Sequence, residues 1–591
     1  MRIWRFLLII SCLIFAGRAS AFSPNFSVDF LRNNQPSSVQ EVKDETKQDA
    51  EPVKSVSTQS EIVRVGIGNQ SFSSFVYKKI GVYGTAPVDV YKDGVKLFQV
   101  PANSNIFVLI NPDFSYTLKD NSGEELAHLE GIIKFTSSGG CLGVTGLKRA
   151  GKPALYHGYF EIMRAKEGNQ FNLVNKLPVE FYLRGVVPNE MPVNFGLEAL
   201  KAQAVAARNY VLSPRTKATP NYDVVDSVAS QVYYGANTEK ELSNRAVSET
   251  EGIVALDNWD MILALYSSTA GGYTESYSNA FSDPASGQFP SAEKSYLKAT
   301  PDMLYQGKLN SEEDALAFYK SRPDSYDIRS PYFRWTMEWD ADELKAQLQN
   351  TLITQSSTGY IKPKFVQGDE LGNILELKTV RRGDSGKIIE LEIITDTQTY
   401  KVYKELVIRR LLTKNGKALP SANVVFENVK DEDGNLLSIK AYGGGYGHGV
   451  GLSQFGAGFM GSELHIPYYK ILQHYYKGII LGTKPVIVSS EKSQNAVTQT
   501  FYTGKQKAHL VIDNKFQLSK LDVNINGQDY TLDIPTSFFG GNRCARVDIS
   551  KYIKIGKNQI TYYYPKSEGG HKAVRLFVEL VERNDADSIG E

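Results

Sequence analysis

Apolar and polar residues alternate along much of the chain, a pattern that is typical of β-strands. The alternation begins at residues 62–67 and continues through 88–91 and 95–98, where a Lys-Asp-Gly turn separates two short strands. Further strands of this kind run to residue 162. We therefore predict an N-terminal β domain over residues 60–164, and we find no catalytic constellation in it.

The strongest helical pattern lies within residues 177–212. Apolar side chains recur there at helical spacing, at Leu197, Leu200, Ala204, Ala207 and Val211. Asn194 is a suitable N-cap for this helix. Glu190 precedes the helix between two prolines, and Lys201 and Arg208 project from one side of it, two turns apart. An acid beside two cations on one helix indicates a functional site.

Two further segments are rich in small residues. Residues 262–266 are predicted to form a buried strand that ends in a turn of Ser, Thr and Gly over 267–275. Such a turn lets donors approach a polar ligand closely, although a capped turn without a ligand explains it equally well. A glycine-rich segment over 442–458 surrounds His448 but lacks the Gly-Lys-Ser/Thr ending of a phosphate-binding loop. By itself, His448 indicates a packed histidine more often than a catalyst.

The N-terminus is typical of a secretory signal. It has a basic start, an apolar core and an Ala-Ser-Ala cleavage site at residues 19–21, which predicts a signal peptide over 1–21. Cys12 lies inside the apolar core, which disfavours a lipoprotein signal. Residues 22–59 are polar with few aromatics and predict a disordered linker. We therefore expect an exported protein of the periplasm, cell wall or extracellular space.

Length and charge narrow the function classes. A chain of 591 residues is too long for one core, so about three domains are expected. The net charge of +1 and the absence of a basic run argue against a nucleic-acid partner. Cleavage of the signal leaves Cys141 and Cys544, which either form one disulfide or remain two unpaired thiols. Neither has a histidine at ligand spacing, so a cysteine nucleophile has little support.

The last part of the chain, residues 490–585, again alternates in short strands. Its closing strand, loop, Gly-Lys-Asn and strand resemble the end of galactose-binding-like β-sandwiches. This resemblance implies a C-terminal β-sandwich that binds carbohydrate or cell wall. A stabilising or partner-binding appendage explains the pattern equally well.

Several segments together carry a resemblance to a known family. The motif LPVEFYLRGVVPNEMP around Glu190, the surroundings of Gln231, residues 266–275 and the motif GYGHGVGLSQFGA around His448 resemble the SpoIID/LytB family of bacterial envelope proteins. The motifs occur in the family's order over roughly residues 155–482. The resemblance predicts a multidomain, mainly β protein with an α+β catalytic core, the SpoIID/LytB-like domain, over residues 165–482.

The resemblance implies action on peptidoglycan glycan strands but leaves the function class open. SpoIID-like members are lytic transglycosylases that cleave strands stripped of stem peptides. LytB-type members enhance an N-acetylmuramoyl-L-alanine amidase, which would then be a partner of this chain. A glycan-binding wall protein without activity is a third reading.

Chemistry favours the transglycosylase, with Glu190 as its catalytic residue. Ordinary glycosidases use two carboxylates, whereas a lytic transglycosylase can use one as acid and then as base. Such an acid needs a pKa raised by desolvation. Apolar neighbours of Glu190 in the sequence could supply that environment. The alternative is a structural glutamate that caps the next helix or pairs with Arg208.

The other roles are implied by the resemblance alone. Lys201 and Arg208 match basic positions of the family and would bind substrate or orient Glu190, unless Arg208 is a buried structural partner. The predicted groove-lining residues are Gln231, Ser268, Thr269, Glu275, His448 and Gln454. If the segments around Glu180 and Glu190 are both extended, Glu180 is a strand residue far from the acid, and we interpret it as structural. Some members bind zinc through a histidine where this chain has Tyr266, so we predict no metal and no cofactor.

Overall fold

The structure is a computed structural model. It describes residues 61–213, 219–302, 308–490, 495–515, 517–535, 544–565 and 573–582. The predicted signal peptide and linker lie outside the described residues. The described chain is 39% strand and 20% helical and contains several sheets, which confirms the mainly β class. No helix in these ranges is long and apolar enough to cross a membrane.

The N-terminal part consists of two antiparallel sheets whose inward side chains alternate with exposed ones. Its strands are β1 (Ile62–Gly66), β2 (Lys79–Gly84), β3 (Val88–Lys92), β4 (Val95–Val100), β5 (Ile106–Ile110), β6 (Tyr116–Lys119), β7 (Glu125–Leu129), β8 (Ile133–Ser137), β9 (Leu142–Arg149), β10 (Lys152–Tyr156), β11 (Tyr159–Arg164) and β12 (Phe171–Pro178). One sheet has the order β10-β9-β2-β5-β6-β7, and the other includes β1-β12-β11-β8-β3-β4. Because β12 pairs with both β1 and β11, this sheet continues past residue 164, the predicted domain boundary.

The helices follow these sheets. They are α1 (Val179–Glu190), α2 (Leu197–Leu212), α3 (Glu241–Ser248), α4 (Tyr277–Ala280), α5 (Glu312–Lys320), α6 (Ala341–Ser356), α7 (Glu405–Leu411), α8 (Gln454–Ser462) and α9 (Tyr468–Tyr475). Helix α2 packs against α1, α3, α8 and α9, and it is buried on most of its surface because its many alanines allow close approach. It begins after Gly196, since a 3₁₀ turn occupies Val193–Phe195, and not after the predicted cap Asn194.

The central strands divide between two hydrophobic cores. They are β13 (Val224–Val225), β14 (Ile253–Asp257), β15 (Asp260–Met261), β16 (Tyr266–Ser267), β17 (Trp335–Asp340), β18 (Ile361–Lys362), β19 (Ile374–Arg382), β20 (Ile388–Thr395), β21 (Thr399–Tyr403), β22 (Thr413–Lys414), β23 (Lys417–Ala418), β24 (Val424–Lys430), β25 (Leu436–Gly443), β26 (Leu452–Ser453), β27 (Ile480–Thr483) and β28 (Val486–Val488). Strand β13 extends the N-terminal sheet beside β1. Strands β17–β21, β24 and β25, with α6 and α7, enclose a core of their own around Trp339.

The C-terminal strands join the sheet of the central part. They are β29 (Ala496–Thr503), β30 (Lys507–Asp513), β31 (Lys520–Ile525), β32 (Gln528–Asp533), β33 (Cys544–Asp548), β34 (Gly556–Tyr563) and β35 (Val574–Val581). One sheet runs β15-β14-β27-β35-β30-β33, and a second runs β29-β34-β31-β32. Since β35 pairs with β27, the C-terminal part continues the first hydrophobic core, which also contains α1 and α2.

Candidate functional site

Glu190 is the last residue of helix α1. The helix contains Pro188 in its final turn and ends where Met191 adopts an extended backbone. Proline removes one helical hydrogen bond, so its place in the last turn fits a helix that ends two residues later. The Glu190 side chain is only 4% exposed, and its neighbours Val187 and Met191 are also buried.

The carboxyl group of Glu190 is satisfied on one oxygen only. Oε1 accepts a hydrogen bond from the backbone N–H of Val232 at 2.6 Å. Gln454 lies beside the carboxyl and lowers its pKa through a side-chain hydrogen bond, and the Gln454 amide also donates to Gln203 Oε1 at 3.2 Å. Within the described chain, Oε2 has no hydrogen-bond partner. Burial raises the pKa of Glu190 to about 7, against the lowering effects of Val232 and Gln454, so a proton is available near neutral pH.

This raised pKa predicts that the protein loses stability as the pH rises. An unfolded glutamate titrates at 4.5, and the folded Glu190 at about 7, so the folded state binds more protons in between. The free energy of unfolding should therefore fall between these pH values by about 3 kcal/mol and stay low above them. In urea, the free energy of unfolding of Glu190→Gln should equal that of wild type at pH 4.5 and exceed it at pH 8. Equal differences at both pH values would contradict the shift.

Gln231 holds two tyrosine hydroxyls beneath this site. It is fully buried, accepts from the Tyr182 hydroxyl at 3.0 Å and donates to the Tyr266 hydroxyl at 2.9 Å. Tyr266 occupies the position at which the resemblance implies a zinc-binding histidine in some family members. Its hydroxyl accepts the hydrogen bond from Gln231. Among the described residues, no group of three His, Cys, Asp or Glu is arranged to hold a metal ion. The residues present do not fit a zinc site.

The two cations predicted beside Glu190 are held elsewhere. Arg208 is 1% exposed and forms a bidentate pair with Glu180 at 2.9 and 2.6 Å. Lys201 pairs with Glu198 and Glu249 at 2.8 and 2.7 Å. Gln203 faces Gln454 from a point about 200° around the helix from Lys201. The structure favours the alternative reading of Arg208 as a buried structural partner.

Glu180 accordingly lies in a helix and not in a strand. Its place in the first turn of α1 directs its carboxylate at Arg208 of α2. The sequence interpretation placed Glu180 on a strand on the assumption that the segments around Glu180 and Glu190 are extended, and its structural role agrees with the pairing to Arg208. The packing of α1 against α2 brings Glu180 to Arg208. The Arg208 guanidinium also donates to the carbonyl of Ile253 at 3.0 Å.

The structure brings together the two small-residue segments that the sequence singled out. Strand β16 pairs in parallel with β26, so Tyr266 lies beside Leu452. The Tyr446 amide donates to the Thr269 carbonyl at 2.9 Å, and the Glu275 amide donates to the Gly449 carbonyl at 2.7 Å. Backbone hydrogen bonds therefore join the turn over 267–275 to the glycine-rich segment. Gln454, near the end of the glycine-rich segment, lies beside Glu190.

Asp327, which sequence reasoning missed, fixes the shape of this turn. Its carboxylate accepts from the Thr269 hydroxyl and from the amides of Gly271 and Gly272, the last two at 2.7 and 3.2 Å. Gly271 has φ +75°, and a Cβ there would lie 2.6 Å from the Gly444 backbone. The glycines thus allow two backbones to approach each other, and no ligand is needed to explain them.

Glu275 and His448 lie in a buried polar cluster behind the turn. Glu275 accepts from the Ser385 hydroxyl at 2.7 Å and is fully buried. His448 accepts from the Val450 amide on Nδ1 at 3.0 Å. Burial, with the charges of Lys387 and Arg409, lowers the pKa of His448 to about 3, so the imidazole is neutral. Neither side chain faces solvent.

The predicted groove residues are mostly buried. Of the residues assigned to substrate binding, only Lys201 and Ser268 are more than marginally exposed, and Arg208, Gln231, Thr269, Glu275, His448 and Gln454 are buried. Gln454 is the member of this set that lies beside Glu190. Their roles in binding stay predictions, and in this conformation their contacts organise the walls of the site. One further polar residue, Gln203, could have been noticed because it interrupts an alanine-rich helical run.

Comparison with known proteins gives two family matches. The model described as stage II sporulation protein (SpoIID) matches residues 167–256, which include Glu190, Lys201, Arg208 and Gln231. A model described as a domain of unknown function matches residues 283–451, which include His448. The segment with Ser268, Thr269 and Glu275 lies between these two matches.

Three relatives extend the comparison. The chain is 30% identical to the amidase enhancer of Bacillus subtilis over 302 residues, 51% of this chain and 40% of the enhancer. It is 29% identical to stage II sporulation protein D of Bacillus subtilis over 321 residues, 52% of this chain and 74% of that protein. It is 26% identical to an uncharacterized protein of Brachyspira hyodysenteriae over 402 residues, 68% of this chain and 88% of that protein. The chain thus spans less than half the length of the amidase enhancer.

Proposed function

Since the chain belongs to the SpoIID/LytB family, we propose that it is an exported lytic transglycosylase acting on the glycan strands of peptidoglycan. The observation that supports this proposal is the state of Glu190. Burial raises its pKa to about 7, and its Oε2 atom has no hydrogen-bond partner in the described ranges. A carboxyl that keeps its proton at neutral pH, with one oxygen uncommitted, has the properties of a general acid.

The groups around Glu190 support a mechanism with one carboxylate. Its pKa is shifted by burial, by the Val232 amide and by Gln454, and none of these is a second acid. Oε2 would protonate the glycosidic oxygen while Oε1 stays fixed by the Val232 amide. The resulting carboxylate would accept the proton of the C6 hydroxyl, which attacks C1 and closes a 1,6-anhydro ring. The proton returns to Glu190, and no water is consumed.

One observation favours a second candidate function. Glu190 Oε2 is buried in this conformation, so a glycan reaches it only if a covering group moves. A glutamate that never meets substrate would instead be a non-catalytic residue of a protein that enhances an amidase, as the name of one relative suggests for that relative. In this candidate the chain binds an N-acetylmuramoyl-L-alanine amidase and needs no acid of its own.

Product analysis separates these candidates. Purified protein is incubated with peptidoglycan glycans, both intact and stripped of stem peptides by an amidase, and the products are identified by mass spectrometry. We expect 1,6-anhydro ends from the stripped strands. Reducing ends would indicate hydrolysis and a second carboxylate. No product from either substrate, together with a faster amidase reaction when the protein is added, would support the enhancer.

A further inference from the structure

A second cluster of reactive side chains lies in the N-terminal part, away from Glu190. The Sγ atom of Cys141 is 3.7 Å from Nδ1 of His157, and Nε2 of His157 is 2.7 Å from Oε1 of Glu239. The other oxygen of Glu239 accepts from the Asn244 side chain at 2.7 Å. A thiol, an imidazole and a carboxylate that is itself held in place form the arrangement of an activated nucleophile.

This cluster could not be predicted from the sequence because its members are far apart in the chain. Cys141 precedes β9, His157 lies in the turn between β10 and β11, and Glu239 precedes α3. The expectation that a cysteine nucleophile has little support rested on spacing along the chain, which does not reveal the contact between Cys141 and His157. Cys141 and Cys544 are free, half-buried thiols and do not form the disulfide that the sequence left open.

His157 places a positive charge beside the sulfur. Burial by itself would lower the pKa of His157, but the hydrogen bonds and charges of Cys141 and Glu239 outweigh it and raise the pKa to about 9. These two are the titratable groups that act on the imidazole, and the ring of Phe181 packs on it at 5.0 Å. A protonated imidazole stabilises a neighbouring thiolate, which is the nucleophilic form of cysteine.

The hydrogen bonds of the backbone amides around Cys141 favour one of two kinds of thiol chemistry. Acyl transfer needs backbone donors aimed at an oxyanion, but the Cys141 amide donates to Thr85 Oγ1 at 2.9 Å and the Gly140 amide donates to the Ser137 carbonyl at 3.3 Å. Exchange with a disulfide needs no such donors, because the negative charge passes from one sulfur to another. The cluster is suited to the second reaction.

We propose that Cys141 is a thiol–disulfide exchange site, activated by His157 and Glu239, that takes up small-molecule thiols from their disulfides. The Cys141 thiolate attacks one sulfur of the small disulfide, a new S–S bond forms, and the old S–S bond breaks. The other half leaves as a thiolate and takes a proton from the imidazolium of His157 or from water. The small disulfide supplies the oxidising equivalents. This site is independent of the function proposed for Glu190.

The test uses cystine as the small disulfide and the full chain as the protein. Mixed-disulfide formation is measured at each cysteine by mass spectrometry of peptides, from pH 5.5 to 8.5. Cys544 is the internal control, because burial and Asp513 raise the pKa of its thiol. We expect Cys141 to react about tenfold or more faster than Cys544 at pH 6.5, because the His157 imidazole lies beside its sulfur.

Two variants test the roles of the neighbours. His157→Gln should slow Cys141 by about tenfold at pH 6.5, because the cation beside the sulfur is gone. Glu239→Gln should have the same effect in smaller measure, and circular dichroism checks that both variants fold. Equal rates at Cys141 and Cys544 in the wild type would overturn the proposal, as would a His157→Gln variant that is folded and reacts like wild type.

Discussion

Glu190→Gln is expected to reduce the formation of 1,6-anhydro ends by at least about 10³-fold, because a carboxamide can neither donate nor accept the proton of this reaction. The substitution keeps the size of the side chain and an oxygen that can accept from the Val232 amide. In the wild type this amide donates to Glu190 Oε1 at 2.6 Å. The folded structure should therefore persist while the chemistry is lost. Initial rates on stripped glycan strands, read by mass spectrometry, check this expectation.

The pH dependence of the wild type gives a second signature of the same acid. The reaction starts from protonated Glu190, whose pKa is about 7. The rate at low substrate concentration should be constant below this pH and fall about tenfold per pH unit above it. A rate that rises with pH through 7 would assign Glu190 a different role or none.

Glu198→Gln is the matched control for Glu190→Gln. It makes the same chemical change on the neighbouring helix α2, at a carboxylate that binds Lys201 and the Tyr468 amide. We expect activity within about twofold of wild type, since Glu198 does not contact Glu190 and a partly exposed ion pair contributes little. If both variants lost activity equally, the loss would reflect folding and not acid catalysis.

Arg208→Ala is expected to destabilise the protein by about 3–5 kcal/mol, the usual result of removing one partner from a buried ion pair. The substitution would leave the Glu180 carboxylate without its bidentate partner and the Ile253 carbonyl without its donor. Arg208→Lys should recover only part of the loss, because lysine keeps the charge but not the planar fork. Urea unfolding measures both variants.

A comparison of Lys201→Ala with Arg208→Ala distinguishes a structural role of Arg208 from a role in substrate binding. Lys201 lies on the same side of α2 as Arg208 but keeps some exposure, and its pairs with Glu198 and Glu249 should contribute about 1 kcal/mol or less. If Arg208→Ala left the stability unchanged and weakened glycan binding instead, the substrate-binding role implied by the resemblance would stand. A large loss of stability in Arg208 variants alone would establish the structural role.

The local signals in the sequence predicted the parts of the site that depend on short-range order. The helical spacing of apolar residues predicted α2, with an error of two residues at its start because a 3₁₀ turn intervenes. The motif around Glu190 gave the candidate acid, and its apolar setting gave the direction of the pKa shift, which burial in the structure bears out. Each of these follows from residues that are close in the chain.

The partners of these residues depended on packing between distant segments. Glu180 meets Arg208 only because α1 packs against α2, and Asp327 reaches Gly271 across more than fifty positions of the chain. Local propensity carries no information about such pairs, which are selected when buried charges and amides must find partners.

By itself, then, the sequence determined the resemblance to the SpoIID/LytB family, the mainly β composition and the candidate acid, since these reside in motifs and periodicity that any fold of the chain must respect. Only the tertiary structure decided that the predicted groove residues are largely buried, that Arg208 serves Glu180, and that Cys141 lies beside His157. The physical reason is the same in each case. Burial and hydrogen bonding are properties of the assembled core, where desolvation makes every polar group depend on a partner from another segment.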